Sequence, residues 1–451
     1  MTNAPSAESL FKTLKAENEP WLGDVFVSLP AFERLREDVS TILYGEAGSG
    51  KTAMRLALTK EQRERIFNAL WTPEPILETI TSGTALAQQA MKQALSACAE
   101  SLVLEGNLPQ RLGESSSHIA SALQWFLQNY LPFNAILYIQ DQANRLPQDD
   151  LQWYLKLLEQ PLPAVVKEGA SFKDQIRLLL MILRAAKYER LWLTIDGIER
   201  WTPRGVGDQV EALLEAVLST LVFFDLKEVS FKFFAPLSFK GALHKTSGVE
   251  RYRSIETDLT WSVEALREML EKRLACALSS KKASLASLSD GDEFLNWLKE
   301  YGGSSPRAWL GFTAPLVMEY QKRGKRLTSD QTREFILQHP APLRLHRERR
   351  EIWLGEKRIT DCSTLEFRVL EYLSAHPGKI TSLEELYYYA YKELNEVPDK
   401  GAPVWTHPKT WRGAMDNVLM RIRQKIEPDP KNPLYLVTHH GKGVELLHAE
   451  T

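Results

Sequence analysis

Short apolar runs alternate with longer stretches of helical periodicity through the first half of the chain. The runs of strand length are Thr41–Tyr44, Arg65–Trp71, Leu191–Ile195 and Val229–Ala235. The helical stretches, in which apolar residues recur every three or four positions, are Ala85–Leu131, Gln175–Lys187 and Asp208–Leu221. Apolar strands that alternate with helices are typical of a parallel sheet covered on both faces. The pattern therefore predicts an α/β fold for residues 24–260, after a polar N-terminal arm over residues 1–23.

The second half of the chain follows a different pattern. From Trp261 to about Leu337 only the helical period is present, which predicts a helical domain over residues 261–338. The segment Pro340-Ala341-Pro342 then interrupts the periodicity, and short strand-like pieces follow around two or three helices. We therefore expect a domain boundary at these prolines and a smaller α+β domain over residues 342–451.

A specific motif lies directly after the first apolar run. Residues 45–52 match the phosphate-loop pattern G-x-x-x-x-G-K-[ST], in the order of strand, loop and helix that the motif requires. Its glycines let successive backbone N–H groups point at a phosphate, and the helix that follows adds its positive dipole end. We expect Lys51 to reach the β- and γ-phosphates of ATP, and Thr52 to ligate Mg²⁺. The predicted nucleotide-binding residues are Gly45, Glu46, Ala47, Gly48, Ser49, Gly50, Lys51, Thr52 and Ala53.

A phosphate loop also needs an acidic partner that holds the metal ion from the opposite side. Asp196 ends the apolar run Leu191–Ile195, and we predict that it completes the Mg²⁺ shell with Thr52. Glu199 follows three residues later and is predicted to orient the attacking water. Asp196, Glu199 and Lys51 are therefore the predicted catalytic residues of an ATPase. The alternative interpretations are a structural carboxylate at a strand end and a solvent-exposed glutamate.

Two segments resemble the STAND and origin-recognition branch of the AAA+ ATPases. Residues 196–200, Asp-Gly-Ile-Glu-Arg, are similar to its Asp-Gly-x-Asp/Glu element, and residues 302–307, Gly-Gly-Ser-Ser-Pro-Arg, to the Pro-Arg segment of its helical lid. By this resemblance residues 24–260 form an ATPase core and residues 261–338 a lid. Arg307 is then a sensor arginine that reaches the γ-phosphate and couples nucleotide state to the lid angle. Arg200 and Arg204 are candidates for arginine fingers that act across a subunit boundary.

Residues Leu343–His448 resemble the winged-helix DNA-binding domain of OmpR/PhoB-type response regulators. The resemblance runs in order through a small N-terminal sheet, a first helix, a turn with a second helix, a third helix and a terminal hairpin. The segments that carry the last four are Ser363–Leu373, His376–Leu386, Met415–Glu427 and Tyr435–Leu446. On the third helix an apolar stripe with helical spacing is predicted to face inward: Met415, Val418, Leu419, Ile422 and Ile426.

In the resembled family the outer face of the third helix enters the major groove of DNA, and the hairpin contacts the minor groove or a phosphate. The residues to which this role is transferred are Arg412, Asn417, Met420, Arg421, Gln424, His440 and Lys442. From Pro342 to Thr451 the chain has 17 Lys and Arg against 16 Asp and Glu, whereas a dedicated DNA-binding domain is usually more basic. A winged helix that contacts protein or inhibits the ATPase is therefore the alternative.

Composition restricts the setting in which the protein works. Lys and Arg total 56 against 58 Asp and Glu, a net charge of −2, so any nucleic-acid site must be local. The three cysteines, Cys98, Cys276 and Cys362, lie far apart in sequence and predict reduced thiols. No apolar segment has the length of a membrane span. We therefore expect a cytoplasmic protein without a membrane partner.

Together these features predict an ATP- and Mg²⁺-dependent switch whose nucleotide state controls binding of the winged helix to double-stranded DNA. ATP and ADP are its predicted ligands, and self-association is expected. One alternative is a STAND-type antiviral defence or signalling ATPase, which oligomerises with ATP and uses the winged helix to contact protein, including a separate effector. Another is a motor or loader whose ATPase activity is stimulated by DNA of any sequence.

Overall fold

The computed structural model describes residues 10–11, 16–60, 64–74, 83–113, 116–161, 171–198, 226–245, 255–280, 282–406 and 408–450. The chain divides into two compact units. The first unit spans residues 16–260, and the second spans residues 261–451 together with the segment that contains Leu10 and Phe11. The prolines at which we expect a domain boundary lie within the second unit. Across the described ranges, no helix combines the length and the apolar character that a membrane span requires.

Five parallel strands form the sheet of the first unit, in the order β2-β3-β4-β1-β5. The strands are β1 (Thr41–Gly45), β2 (Ile66–Trp71), β3 (Arg190–Ile195), β4 (Val229–Pro236) and β5 (Ile255–Asp258). Consecutive residues are buried along β1, β3 and β4, so both faces of these central strands are covered. The predicted α/β fold and its four predicted strands are confirmed.

The fifth strand, β5, is not predicted by the sequence pattern. It pairs with β1 at the edge of the sheet and is only partly buried. Two of its four residues are acidic, Glu256 and Asp258, so it lacks the apolar run that identifies the central strands. Edge strands carry little of the burial on which such predictions depend.

Helices flank the strands of the first unit. They are α1 (Leu22–Val25), α2 (Pro30–Leu35), α3 (Lys51–Lys60), α4 (Gly83–Leu104), α5 (Leu108–Leu112), α6 (Ser117–Tyr130), α7 (Ala135–Asp141), α8 (Gln148–Leu158), α9 (Phe172–Ala185) and α10 (Lys240–Lys245). The predicted stretch Ala85–Leu131 is thus three helices, separated at Gly106 and Gly113, whose φ angles of 73° and 51° favour glycine. The predicted helix Asp208–Leu221 lies outside the described residues.

The second unit begins with four helices, each of which starts close to a polar residue. They are α11 (Val263–Ala277), α12 (Glu293–Gly302), α13 (Pro306–Arg323) and α14 (Ser329–Gln338). Ser262, Ser305 and Thr328 cap α11, α13 and α14, because their hydroxyl groups accept hydrogen bonds from backbone N–H groups of the first turn. We refer to residues 261–338 as the lid.

The remainder of the second unit is a winged helix, as predicted. Its strands are β6 (Leu343–His346), β7 (Glu351–Leu354), β8 (Lys357–Ile359), β9 (Leu436–His439), β10 (Gly443–Leu446) and β11 (Ala449–Glu450), and its helices are α15 (Thr364–Ser374), α16 (Leu383–Lys392) and α17 (Trp411–Ile426). Strands β11, β6, β7 and β8 form one sheet in that order, and β9 and β10 form the terminal hairpin. The predicted inward stripe of α17 is buried in the core of this domain.

The lid packs directly on the turn between β7 and β8. The backbone N–H of Glu356 donates to the carbonyl O of Tyr301 at 2.7 Å, and Lys357 forms an ion pair with Glu300 at 2.6 Å. Gly355 has a φ of 56°, and a Cβ atom at this position would lie 2.4 Å from the carbonyl O of Tyr301. Only glycine therefore fits this approach. We call these contacts the Gly355 joint.

Candidate functional site

The phosphate loop connects β1 to α3, as its motif requires. β1 ends at Gly45 and α3 begins at Lys51, so the two elements are joined by five residues. Gly48 and Gly50 have φ angles of 82° and 93°, which side chains rarely tolerate. These angles curl the backbone ahead of the helix N-terminus, the arrangement that binds phosphate through N–H groups.

Lys51 lies inside the fold of this loop. Its Nζ atom donates to the carbonyl O of Gly45 at 2.8 Å and to that of Glu46 at 3.0 Å. The residue is only 8% exposed. A buried ammonium group is tolerated because loop carbonyls satisfy it. The positive charge is therefore held within the loop and not in solvent.

Asp196 approaches the loop from the end of β3. The carboxyl ends of parallel strands meet at the same edge of a sheet, which is where α3 also begins. Asp196 Oδ2 lies 3.5 Å from Thr52 Oγ1, although the two residues are 144 positions apart. The other carboxylate oxygen, Oδ1, accepts a hydrogen bond from the Gly197 N–H at 2.9 Å. The structure thus brings together the two residues that the sequence predicts as Mg²⁺ ligands.

The donor set at this point fits a magnesium ion. Mg²⁺ prefers oxygen ligands and usually takes one or two from the protein, with nucleotide phosphates and water supplying the rest. The Thr52 hydroxyl and the Asp196 carboxylate are such ligands, and they lie side by side at the N-terminus of α3. Their placement is compatible with an ion that bridges the protein and a bound nucleotide.

Arg55 also belongs to this site, and the sequence analysis missed it. Its Nε atom donates to Asp196 Oδ2 at 2.8 Å. Arg55 lies on α3 three residues after Thr52, a spacing that places both side chains on one face of the helix. This spacing is the only sequence signal for the role of Arg55. The signal is not specific, because arginines on helix surfaces have the same spacing from other residues.

Four further predicted residues lie outside the described part of the first unit. Glu199, Arg200 and Arg204 lie outside the described residues. Arg307 is an exposed residue in the first turn of α13, directly after the capping Ser305, and it belongs to the second unit. Its role as a sensor stays a prediction, as does the role of Glu199 in water activation.

The predicted DNA-contacting residues lie on two elements of the winged helix. All are exposed, five of them on α17 and two in the turn of the hairpin: Arg412, Asn417, Met420, Arg421, Gln424, His440 and Lys442. A cleft of about 450 Å³ separates α17 from the hairpin, and Arg412, Lys442 and His440 are among its lining residues. Arg423 fixes the geometry of this cleft, because its Nε atom donates to the carbonyl O of Leu436 at 2.9 Å.

Arg421 lies beside a buried carboxylate of its own domain. Its Nε atom lies 3.1 Å from Oε1 of Glu366, whose carboxylate is almost completely buried. Lys425 donates to the other oxygen, Oε2, at 2.7 Å, and the backbone N–H of Ser363, the N-cap residue of α15, donates to the same Oε2 at 2.8 Å. Burial raises the pKa of Glu366, but the hydrogen bonds from Lys425 and Ser363 outweigh it, so that the pKa lies below its ordinary value. Only one nitrogen of Arg421 lies at this carboxylate, and the Arg421 side chain is 51% exposed.

The curated relatives match only part of the chain by sequence. No protein-family model matches it. The uncharacterized transcriptional regulatory protein YrkP of Bacillus subtilis is 32% identical over 105 residues, which are 22% of this chain and 38% of that protein. Protein PetR of Rhodobacter capsulatus is 30% identical over 105 residues, 23% of this chain and 40% of PetR. The chain thus spans about two fifths of the length of these curated relatives.

Solved structures give only a distant similarity. The Orc1 protein of Aeropyrum pernix in complex with DNA aligns with 99% of this chain and 94% of its own, at 15% identity and a TM-score of 0.36. Cdc6p of Pyrobaculum aerophilum aligns with 98% of this chain and 94% of its own, at 12% identity and a TM-score of 0.36. At this similarity neither neighbour assigns a function to the chain.

Proposed function

We propose that the protein is an AAA+-type ATPase that acts as a nucleotide-dependent switch for a DNA-binding winged helix. The observation that carries this proposal is the convergence of Thr52 and Asp196 beside a phosphate loop that holds Lys51. A glycine turn with a surface lysine would not require an acidic strand end at this place. A parallel sheet that presents all three groups at one edge is the arrangement used for binding Mg²⁺-nucleotide.

Each residue has a defined task in this proposal. The loop N–H groups and the Lys51 ammonium bind the phosphates, and Lys51 exchanges its contacts with the loop carbonyls for phosphate oxygens. Thr52 and Asp196 hold Mg²⁺, which neutralises charge on the β- and γ-phosphates when it is bound. Glu199, by sequence position, orients the water that attacks the γ-phosphate.

The winged helix supplies the proposed output. Its exposed α17 face carries Asn417 and Gln424, side chains that can read adenine, and Arg412 and Lys442 can neutralise phosphates on either side of the cleft. The similarity to YrkP, which is described as a transcriptional regulatory protein, supports a role in regulation.

The Gly355 joint gives the switch a route to the winged helix. Arg307 lies in the first turn of α13, and the joint holds the end of the preceding helix, α12, against the β7–β8 turn. A lid that changes its angle with nucleotide state would therefore carry the winged helix with it. Dimers or larger assemblies formed with ATP would add a second level of control.

Nucleotide binding tests the first part of the proposal. We expect Lys51→Ala to abolish ATP binding and turnover, because the charge that faces the phosphates is lost. Equilibrium binding of a fluorescent ATP analogue and phosphate release measure the two quantities. Lys60→Ala is the matched control, since it removes an exposed lysine from the other end of the same helix. Unchanged affinity and turnover in Lys51→Ala would exclude this site.

DNA binding tests the second part. We expect Lys442→Ala to weaken binding to double-stranded DNA and to reduce the slope of log affinity against log salt by about one unit, the effect of one phosphate contact. Lys325→Ala, an exposed lysine of the lid, is the control with the same charge change. Turnover stimulated equally by all DNA sequences would favour a motor or loader. Turnover and assembly indifferent to DNA would favour a winged helix that contacts protein.

A further inference from the structure

The nucleotide site contains a buried ion pair that the proposed function does not use. Arg55 and Asp196 are paired at 2.8 Å, and their side chains are only 10% and 12% exposed. The oxygen that Arg55 holds, Oδ2, is also the one that lies 3.5 Å from Thr52 Oγ1. The protein thus places a cation of its own on the carboxylate oxygen beside the Thr52 hydroxyl.

Both partners are fixed by the fold. Arg55 projects from the second turn of α3, on the face that carries Thr52, and Asp196 is held at the end of β3. The Asp196 N–H donates to the carbonyl O of Trp71 at 3.2 Å, which anchors the residue to the neighbouring strand β2. A buried ion pair between anchored residues is part of the folded site, unlike an exposed pair that exchanges freely with water.

We propose that Arg55 determines how strongly nucleotide binding depends on Mg²⁺; this inference rests on the proposed nucleotide site. A divalent ion held by Thr52 and Asp196 would compete with Arg55 for Oδ2 of Asp196, and the guanidinium charge would repel it. Mg²⁺-nucleotide can bind only when Asp196 exchanges its contact with Arg55 for a contact with the metal ion. Nucleotide without metal binds while the Arg55–Asp196 pair stays intact. Arg55 is therefore a specificity-determining residue of the site, one that favours metal-free nucleotide.

The experiment is a titration of Mg²⁺ into the full chain with a fluorescent ADP analogue, which reports binding without hydrolysis. We expect Arg55→Gln to lower the Mg²⁺ concentration for half-maximal enhancement of ADP binding about tenfold, because the charge is removed while an amide donor to Asp196 is kept. Arg55→Lys keeps the charge and should stay close to the wild type. Lys60→Gln removes a charge from the same helix away from Asp196 and is the matched control.

The outcomes separate this inference from the proposed function. ADP binding that depends on Lys51, with the same Mg²⁺ requirement in the wild type and Arg55→Gln, would overturn the role of Arg55 and leave the nucleotide site standing. Absence of ADP binding by the wild type, both with Mg²⁺ and in a chelator, would instead remove the nucleotide site and with it this inference.

A second measurement needs no variant of the ion pair. Mg²⁺ that must displace Arg55 should not bind the wild-type protein by itself, so about 10 mM MgCl₂ without nucleotide should shift the melting temperature by less than about 1 °C. NaCl at equal ionic strength is the control. A rise of several degrees specific to Mg²⁺ would show that Asp196 is open to the metal and would contradict the proposal.

Discussion

Asp196 in the first unit and Glu366 in the second are both buried carboxylates that pair with basic side chains, yet their surroundings differ. Glu366 accepts from Lys425 and from the Ser363 N–H of its own helix cap, and these partners tie α15 to α17. Asp196 lies at the edge of a parallel sheet, beside the Thr52 hydroxyl and a loop bent by glycines. Burial and ion pairing are shared by the two, so neither property by itself marks a functional site.

What distinguishes Asp196 is the set of groups around it that remain able to bind something else. Backbone N–H groups at a helix start and a hydroxyl group favour a phosphate and its metal ion. The partners of Glu366 instead close a capping box and join two helices, which is a structural task. The comparison predicts that changes at Glu366 act mainly on stability, whereas changes at Asp196 act mainly on ligand binding.

The largest effect is expected for Glu366→Ala. Loss of the carboxylate removes the capping box and the partner of Lys425, and should lower the free energy of unfolding of the second unit by about 3 kcal/mol. Glu385→Ala is the matched control, because Glu385 forms the same capping box and pairs with Lys379. The Glu385 side chain is 29% exposed against 2% for Glu366, so we expect a loss of only about 1 kcal/mol. Chemical denaturation measures the free energy of unfolding of both variants. Equal decreases in the two variants would contradict the importance of burial.

An intermediate effect on stability is expected for Asp196→Asn. The single amide oxygen can replace only one of the two carboxylate oxygens, either the one that accepts from Arg55 or the one that accepts from the Gly197 N–H, so the first unit should lose about 2 kcal/mol. Binding changes more, because affinity for ADP should no longer respond to Mg²⁺. Denaturation and the Mg²⁺ titration measure the two effects. A variant that loses several kcal/mol but keeps its response to Mg²⁺ would make Asp196 a structural residue like Glu366.

The smallest effect is a pH dependence that belongs to Glu366. Its pKa is lowered in the folded protein, so it contributes stability above its unfolded pKa and loses that contribution as the pH falls through its folded pKa. The difference in melting temperature between the wild type and Glu366→Gln should therefore be greatest near neutral pH and shrink below about pH 4.5, the ordinary value for glutamate. A difference that stays constant down to pH 3 would contradict the role of the charged carboxylate.

The sequence was sufficient to predict the features that depend on a local pattern of residues. The phosphate loop, the central strands and the inward stripe of α17 each depend on residues close together in the chain. The position of Asp196 beside Thr52 was predictable, because an acidic residue at the end of a strand is expected opposite a phosphate loop. Its role as a metal ligand stays a prediction. The Arg55–Asp196 and Lys425–Glu366 pairs were missed because these contacts join segments that are distant in the sequence. β5 was missed because an edge strand with two acidic residues lacks an apolar run.

The Gly355 joint limits how this protein can be divided or recombined. The sequence pattern suggests that the winged helix could be removed or replaced at Pro340 and Pro342. However, Ala341 between them is buried, and its carbonyl O accepts a hydrogen bond from the Tyr435 hydroxyl at 2.6 Å. A cut after Gln338 would uncover Tyr301 and leave Glu300 without its lysine. The lid and the winged helix must therefore be transferred together in a chimeric protein. A chimera that contains only one of them would need a redesigned surface around Gly355.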